Sequence, residues 1–352
     1  MNKYFFCIIS MALLLFQTIP MYAQSYEDKY FPEITNKLEE GDCESAQRLY
    51  NVYKVMTNKT NTDIEQRIER CGNGEQHIHP NLPERQKKDR GDHTFTLNTP
   101  KYKAVYYDNG NVKFTVNGIE FEMVLVESGS FYMGAQNKDK TLSNYSSNAR
   151  EIDGPVHIVT LDSFYIGQTE VTEALWYAVM EYQPSFGGRN HPVTSVTWDD
   201  CKEFIFKLNQ ITGLHFRLPT EAEWEFAARG GGYSHNYLYS GSNDINEVAN
   251  YDYNAHLPKA IKQKKPNELN IFDMTGNVEE WCEDYYDMHY YNYSPQHNPQ
   301  GPSSGKERVL RGGTSSTYAC FCGVAHRGGM PPTLREGTFL SFCGLRLAMS
   351  IE

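Results

Sequence analysis

The sequence predicts an α+β domain with long irregular segments, preceded by a small α-helical module. The stretch from Arg217 to Gly231 carries both the start and the stop signals of a short helix. Short alternating segments separated by glycine turns are typical of strands. The 352-residue chain also contains 25 tyrosines and 27 glycines, a composition that favours loops and exposed rings over a helical bundle. We therefore expect a mixed fold with few helices.

Residues 1–23 have the pattern of a secretory signal peptide. Lys3 precedes an apolar run that continues to about Pro20, and Ala23 provides a small residue at a cleavage position. The run is short for a membrane span, and no later stretch approaches about 20 apolar residues. We expect a mature protein that begins at Gln24, has no membrane span and is periplasmic or extracellular.

Residues 24–72 are predicted to form a small helical module. Tyr30, Ile34 and Leu38 recur at the four-residue spacing of an amphipathic helix, and the same period resumes after Gly41. The unit resembles a single tetratricopeptide-like (TPR-like) helical pair, which buries little core by itself. We interpret it as an interaction module.

Residues 73–115 are predicted to form a polar linker followed by a short hairpin. Glycine, proline and a basic run interrupt the first part. An Asn109-Gly110 turn separates two strand-like segments in the second part. The main domain is then expected over residues 116–352.

Three helices of the main domain are each predicted to begin after a threonine N-cap. Thr172, Thr197 and Thr220 precede the helical segments, and a hydroxyl at this position accepts a hydrogen bond from an otherwise unpaired backbone amide. Glu223 follows Thr220 at the spacing of a capping box. The third helix is expected to face the core with one bulky and two small side chains, those of Trp224, Ala227 and Ala228.

The charge balance restricts the classes of partner. The chain has 44 acidic and 33 basic residues, which gives a formal net charge of −11. This charge disfavours binding to nucleic acid and to an anionic membrane surface. Neutral or cationic partners are expected.

Seven motifs occur in a fixed order between about Val116 and Glu352. They are EMVLVESGSFYMG, TEVTEALW, PVTSVTWDD, RLPTEAEWEFAARGG, FDMTGNVEEW, RVLRGGT and CGLRLAM. Together they resemble the formylglycine-generating enzyme, or sulfatase-modifying factor, domain. The resemblance implies a variant of the C-type lectin fold, with a small twisted β core, few helices and long loops held by calcium.

The motif FDMTGNVEEW predicts a calcium site. Asp273 and Glu280 bracket a Gly-Asn turn that can bring two carboxylates and intervening carbonyls around one hard cation. The alternative is that both acids only cap turns and bind backbone amides. The resemblance implies side-chain ligands at Asp273 and Glu280, and carbonyl ligands at Gly276 and Val278. It also implies a second site beginning at Asn250 and Tyr251, whose downstream acidic ligand has no clear counterpart.

Two cysteines raise the question of catalysis. The resembling oxidases hold Cu(I) with two cysteines separated by a four-residue spacer, just after a Gly-Gly motif, and act on a sulfatase cysteine. Here Cys320 and Cys322 form a C-x-C, and on a strand this spacing would place both sulfurs on one face. Thiolates suit copper or another soft metal. The spacing nevertheless departs from that of the oxidases.

The remaining cysteines have structural interpretations. The chain has eight cysteines, one of them within the predicted signal peptide, and export favours disulfides whose pairing the sequence does not fix. A Cys43–Cys71 bridge would staple the helical module. The resemblance to non-oxidase relatives implies a Cys282–Cys322 bridge. Cys201 is interpreted as a buried free thiol.

Together these features predict an exported, calcium-stabilised binding or envelope-assembly protein that lacks the oxidase cysteine pair of the resembling family. Its partner would be a protein or a glycan at the envelope. The alternative is a divergent formylglycine-generating oxidase that acts on a sulfatase polypeptide with copper held by Cys320 and Cys322.

Overall fold

The computed structural model divides the chain into two compact units, Met1–Asp89 and Arg90–Glu352. It describes residues 95–98 and 102–351, except 186, 253–254, 256 and 334–341, together with Ile34, Tyr50, Ile64 and Glu65. The predicted signal peptide 1–23, Cys43, Cys71 and residues 73–94 of the predicted polar linker lie outside the described residues, whereas residues 95–98, near the end of that linker, form a strand. Among the described residues, no helix combines the length and apolar character that crossing a bilayer requires.

In the first unit, the four described positions are helical, as the periodicity of residues 24–72 predicts. The side chains of Ile34, Tyr50 and Ile64 are buried. A TPR-like arrangement of this unit remains a prediction.

The second unit is built from thirteen described strands and four α-helices. The strands are β1 (Phe95–Asn98), β2 (Tyr102–Tyr106), β3 (Val112–Val116), β4 (Ile119–Val126), β5 (Gly129–Met133), β6 (His157–Leu161), β7 (Phe164–Gly167), β8 (Phe216–Arg217), β9 (Glu279–Tyr285), β10 (Arg308–Arg311), β11 (Arg327–Met330), β12 (Cys343–Leu345) and β13 (Ala348–Ser350). The helices are α1 (Glu173–Met180), α2 (Trp198–Thr212), α3 (Glu221–Ala228) and α4 (Ile245–Val248).

These strands form three sheets. The largest has seven strands in the order β1-β2-β3-β4-β7-β13-β8, and all its pairings are antiparallel. A four-stranded sheet has the order β11-β10-β9-β12, with β12 parallel to β9, and β5 pairs with β6 alone. The unit is therefore a mixed α and β fold, as the sequence predicts.

The predicted short hairpin is part of the largest sheet. Strand β3 pairs with both β2 and β4. The turn between β2 and β3 is held against β4, because the backbone amide of Leu125 donates to Asn111 Oδ1 at 3.0 Å. The structure thus includes the hairpin, predicted within residues 73–115, in the second compact unit, which begins at Arg90.

All three predicted threonine caps are present. Thr172 accepts from Leu175 N, and Thr197 and Thr220 each form a complete capping box. At α3, Thr220 Oγ1 accepts from Glu223 N at 3.2 Å, and Thr220 N donates to Glu223 Oε2 at 2.8 Å. These hydrogen bonds satisfy backbone donors that the first helical turn leaves unpaired.

The substitution Thr220→Ala is expected to lower the free energy of unfolding by about 1 kcal/mol, because it removes the hydroxyl acceptor at the start of α3. Urea denaturation of the full chain measures this effect. Thr220→Ser retains the acceptor and is expected to stay close to the parent. Equal losses in both variants would contradict the capping role.

Helix α3 is buried on every side, whereas the sequence pattern predicts only one core-facing stripe. All eight of its residues are buried, including three glutamates. Buried carboxylates are tolerated when they are paired, and each of the three forms an ion pair with at least one arginine. The pairs are Glu221 with Arg327, Glu223 with Arg217, and Glu225 with Arg229 and Arg311.

Candidate functional site

A polar cavity of about 100 Å³ lies beside the segment that carries Cys320. Its walls combine three tyrosine rings, several asparagine side chains, one thiol, one imidazole and two charged groups. The residues used below are Tyr145, Tyr237, Tyr239, Asp153, Arg229, Cys320 and His326. Tyrosine rings beside asparagine amides offer both apolar contact and adaptable hydrogen bonds.

The two charged groups of this cavity, Arg229 and Asp153, form hydrogen bonds with neighbouring residues. Arg229 Nη2 donates to Glu225 Oε1 at 2.7 Å and to the carbonyl oxygen of Gly134 at 3.1 Å. Asp153 Oδ1 accepts from Arg150 Nη2 at 2.8 Å. Burial, helped by the nearby Arg150 charge, lowers the pKa of His326 to about 4, so its imidazole is neutral at physiological pH.

The two candidate catalytic cysteines occupy different environments. Residues Ala319–Phe321 form a 3₁₀ turn, so the alternation expected for a strand does not apply. Cys320 is partly exposed and lines the cavity. Cys322 is fully buried, and its sulfur lies 3.7 Å and 3.6 Å from the carbonyl oxygens of Thr317 and Tyr318. Only Cys320 therefore contributes to the cavity wall.

The predicted Cys282–Cys322 disulfide is absent, because both residues are free thiols in the structure. Cys282 packs in the core around Trp224, whereas Cys322 packs in a separate cluster with Tyr239. Burial raises the pKa of Cys322 to about 12, which disfavours the reactive thiolate. Cys201 is a buried free thiol, as predicted.

These environments predict selective alkylation. In the native protein, iodoacetamide is expected to modify Cys320 much faster than Cys322, because only Cys320 is partly exposed. Peptide mass spectrometry after timed labelling measures both rates, and denaturation is expected to equalise them. Equal labelling of both thiols in the folded protein would contradict the described burial.

The predicted calcium turn contains two acids with different partners. Asp273 Oδ2 accepts from the backbone amide of Lys262 at 2.7 Å. Both carboxylate oxygens of Glu280 accept hydrogen bonds. Arg346 donates to Oε1 at 2.7 Å and to Oε2 at 3.0 Å, and Trp224 Nε1 donates to Oε2 at 2.7 Å. Both oxygens of Glu280 thus already accept hydrogen bonds from side chains, and the calcium-ligand roles of Asp273 and Glu280 stay predictions.

The backbone of this turn is closely packed. Gly276 has a φ of +73°, and a Cβ added there would lie 2.2 Å from the carbonyl oxygen of Asn250. Val278 is fully buried. The two residues predicted as carbonyl ligands thus lie on one fixed turn beside Asp273, but the structure leaves their ligand role a prediction.

The role of Asn250 and Tyr251 as the start of a second calcium site also stays a prediction. Asn250 and Tyr251 are both buried, and the Asn250 carbonyl oxygen accepts from Asn277 N at 2.8 Å. Tyr251 donates its hydroxyl to Asn246 Oδ1 at 3.1 Å. Across the part of the chain that the structure describes, no three His, Cys, Asp or Glu side chains are arranged to hold one metal ion.

A third acid near the turn, Glu170, was not assigned a role from the sequence. Its Oε1 accepts from Asn277 Nδ2 at 2.9 Å, while Oε2 is buried without a hydrogen-bond partner among the described residues. Burial raises its pKa well above the ordinary value, and the Asp273 charge adds to the shift. Burial likewise raises the pKa of Asp273 to about 6.

The sequence did not predict that Glu170 and Arg346 would contact this turn, although both lie within motifs already quoted, TEVTEALW and CGLRLAM. A single acid after a strand-like segment, such as Glu170, gives no signal that it will be buried near an acid of a distant motif, here Asp273. The only available hint was the presence of an isolated arginine within an apolar C-terminal motif.

Comparison with known proteins identifies the family that this domain resembles and several relatives. Residues 114–351 match the family described as sulfatase-modifying factor enzyme 1-like domain. The chaperone protein LppX of Paenibacillus barcinonensis is 34% identical over 227 residues, which cover 50% of this chain and 74% of that protein. The formylglycine-generating enzyme of Streptomyces coelicolor is 34% identical over 169 residues, 43% of this chain and 51% of that enzyme.

Among solved structures, Treponema denticola variable protein 1 matches with 30% identity and a TM-score of 0.60. The match covers 68% of this chain and 99% of that chain. The chain thus spans about half the length of the formylglycine-generating enzyme, but nearly the whole of the variable protein.

Proposed function

This chain belongs to the sulfatase-modifying factor enzyme 1-like family, and from that membership we propose that it is an exported binding or assembly protein that captures polypeptide segments in the Cys320 cavity. The proposal includes the C-type lectin variant of the fold, in which loops around a small β core form the binding surface. It assigns no oxidase chemistry to the domain.

The observation that carries this proposal is the separation of the two thiols. A Cu(I) site built from cysteines requires two thiolates that reach the same metal. The Cys320 side chain lines the cavity, whereas Cys322 points its sulfur at carbonyl oxygens of its own loop and is fully buried. A single thiol in a polar, aromatic cavity suits ligand binding better than oxygen activation.

Two further observations support a polypeptide ligand. Tyr237 and Tyr239 line the cavity beside asparagine amides, a combination that binds peptide backbone and side chains together. The segment that carries Cys320 also exposes two aromatic rings, those of Tyr318 at 67% and Phe321 at 38%. The relative named as a chaperone protein, which this chain covers over 74% of its length, favours the same class of ligand.

Titration of the full chain with a fluorescent, permanently unfolded carboxymethylated polypeptide tests the proposal. We expect saturable binding that Tyr237→Asp weakens by at least about tenfold, as for a central aromatic contact. Tyr132→Asp is the matched control, because Tyr132 is half exposed on β5 and does not line the cavity. No saturable binding, or equal binding by both variants, would refute the proposal.

We further propose that calcium stabilises this domain at the turn that carries Asp273, Gly276 and Val278. Carboxylate and carbonyl oxygens are the ligands that calcium prefers, and Asp273 fits this role. A ligand that binds only the folded state adds RT ln(1 + [L]/Kd), about 2.7 kcal/mol at a hundredfold excess over Kd. Chelation is then expected to lower the Tm, and Asp273→Ala to remove that sensitivity. A Tm that chelator leaves unchanged would count against the ion.

The alternative function is a formylglycine-generating oxidase that acts on a sulfatase cysteine. Its support is the 34% identity to the Streptomyces enzyme and the presence of Cys320 in the cavity with His326. It would require the Cys322 sulfur to turn out of its buried cluster. Stoichiometric Cu(I) binding that is lost in both Cys320→Ser and Cys322→Ser would favour this alternative.

A further inference from the structure

The loop that follows α4 carries a run of positive charge in an otherwise acidic chain. Residues 259–265, which we call the basic loop, contain four lysines and no acid, whereas the whole chain has a formal net charge of −11. The lysines are Lys259, Lys262, Lys264 and Lys265, and all except the half-buried Lys264 are exposed. Such a local reversal of charge is a candidate surface for an anionic partner.

Lys262 anchors the basic loop to the rest of the domain. Its backbone amide donates to Asp273 Oδ2 at 2.7 Å, and its ammonium contacts Gln168 Oε1. The amide of Ile261 donates to the carbonyl oxygen of Asn190 at 2.9 Å. Because Asp273 also lies electrostatically close to Lys262, the charge of this lysine is partly compensated. The other lysines therefore carry most of the charge that a partner would meet.

The ammonium groups of Lys259 and Lys264 form no ion pair among the described residues. Lys264 Nζ donates to the carbonyl oxygen of Asn246 at 2.8 Å, which is a neutral acceptor. Lys265 Nζ lies 2.9 Å from Glu247 Oε1, but 67% and 43% of these side chains are exposed, and ion pairs of this kind are weak in water. The basic loop thus presents uncompensated positive charge to solvent.

Arg189 adds a further exposed cation beside the basic loop. It immediately precedes Asn190, whose carbonyl oxygen accepts from Ile261 of the loop. Its own backbone is fixed, because its carbonyl oxygen accepts from Ala174 N at 3.2 Å. Charges that are held on a fixed backbone lose little conformational freedom when a partner binds.

Helix α4 connects the basic loop to the Cys320 cavity. Asn243, two residues before α4, lines the cavity. Ile245 of α4 packs in one cluster with Tyr239, which also lines the cavity. Lys265 N donates to the carbonyl oxygen of Glu247 in α4 at 3.0 Å. Since α4 is a single turn, about 6 Å long, a polypeptide held in the cavity needs only a short extension to reach the loop.

We propose that the basic loop, together with Arg189, is a second contact surface for the polypeptide ligand and selects segments that carry several Asp or Glu residues. This inference rests on the proposed capture of polypeptides in the Cys320 cavity and adds a charge preference to it. The net charge of the chain predicts neutral or cationic partners. At physiological ionic strength, however, the Debye length is about 8 Å, so a short acidic segment interacts mainly with the nearby lysines.

A short acidic segment fits this surface better than a nucleic acid or a sulfated glycan. A long polyanion would also extend over the acidic remainder of the domain and be repelled there. The basic loop itself contains lysines and no arginine, whereas bidentate recognition of phosphate favours arginine. Single carboxylates, in contrast, pair readily with separate ammonium groups.

Fluorescence anisotropy of the full chain with two labelled, unstructured peptides tests the charge preference. The peptides are identical and rich in tyrosine, except that a block of glutamates in one is replaced by glutamines in the other. At low salt the parent is expected to bind the glutamate peptide at least about fivefold more tightly, because several exposed charge pairs form. Near 1 M salt, where the Debye length is about 3 Å, this preference is expected to disappear.

The double variant Lys259→Gln/Lys264→Gln removes the two lysines that have no ion pair. It is expected to reduce the difference between the two peptides to about twofold or less. Lys103→Gln/Lys306→Gln is the matched control, because it removes the same charge from exposed positions on β2 and before β10. We expect this control to retain the preference of the parent. Circular dichroism checks that each variant is folded before titration.

The outcomes distinguish this inference from the proposal on which it rests. Equal binding of both peptides by the parent, with weakening of both in Tyr237→Ala, would overturn the charge preference and leave capture in the cavity in place. A parent that binds neither peptide would overturn both. Loss of the preference in the control variant would overturn the role of the basic loop, since overall charge would then explain the effect. Tighter binding of dextran sulfate than of the glutamate peptide would contradict the assignment to a polypeptide.

Discussion

Replacing Glu225 with leucine is expected to lower the free energy of unfolding by about 3–5 kcal/mol, since removing one member of a buried ion pair leaves an uncompensated charge. Glu225 is fully buried and lies between two guanidiniums, those of Arg229 and Arg311. It also accepts from the backbone amide of Gly134 at 2.8 Å. The substitution would leave both arginines without their shared carboxylate.

Denaturant unfolding of the full chain measures this loss, and Glu120→Gln is the control. Glu120 pairs with Lys113 on the surface at 3.3 Å, with 59% of its side chain exposed, so its loss is expected to have a small effect. Comparable effects of the two substitutions would mean that the buried network does not hold the fold together.

The same carboxylate predicts a direction of pH dependence. Burial alone would raise the pKa of Glu225, but the charges of Arg229 and Arg311 hold it below its ordinary value. A carboxyl whose pKa is lower in the folded state stabilises the fold above its unfolded pKa, and this contribution is lost as pH falls through the folded value. The stability difference between parent and Glu225→Leu is therefore expected to shrink in acid.

Replacing Trp176 with alanine is expected to cost about 3–5 kcal/mol, as for other large-to-small changes in a packed core. Trp176 is fully buried in α1, and its ring stacks on Phe204 of α2 with a centroid distance of 5.0 Å and an interplanar angle of 4°. The substitution would leave a cavity between the two helices.

Tyr177→Ala is the matched control for this cavity, because Tyr177 is the next residue of α1 and is 55% exposed. Its effect is expected to stay within about 0.5 kcal/mol. Thermal or chemical unfolding of both variants tests the contrast. A Trp176→Ala variant as stable as Tyr177→Ala would contradict the packing of α1 on α2.

Much of the fold follows from local sequence signals. Thr197 and Thr220 cap their helices as predicted, and in each case an acid three residues later completes a capping box. The Asn109-Gly110 turn correctly predicts a hairpin. Its membership in the seven-stranded sheet was not predicted, because pairing between β3 and β4 depends on how the edges of separate segments meet, which a local pattern does not specify.

The candidate site was harder to predict because its geometry depends on long-range partners. Asp273 and Glu280 are both in the calcium motif, yet Glu280 forms an ion pair with Arg346, which lies 66 residues later in the chain. Glu170 enters the cluster from a segment 107 residues before its partner Asn277. Sequence spacing identifies candidate ligands, but only the fold determines which carboxylates already have a cation.

The cysteine pair illustrates the same limit. A C-x-C spacing predicts two sulfurs on one face only if the segment is a strand, and here it is a 3₁₀ turn. The Cys322 sulfur then lies within its own loop, while Cys320 lines the cavity. The proposed absence of oxidase chemistry depends on this one local difference in backbone conformation.

Mass spectrometry of a sulfatase-type peptide containing Cys-x-Pro-x-Arg, incubated with the full chain, Cu(I), oxygen and an excess of a thiol reductant that supplies the two electrons of each turnover, tests the central claim most directly. We expect no conversion of the peptide cysteine to formylglycine above the level without protein, because only Cys320 lines the cavity. Repeated conversion by the parent that disappears in both Cys320→Ser and Cys322→Ser would contradict the account and establish the domain as an oxidase.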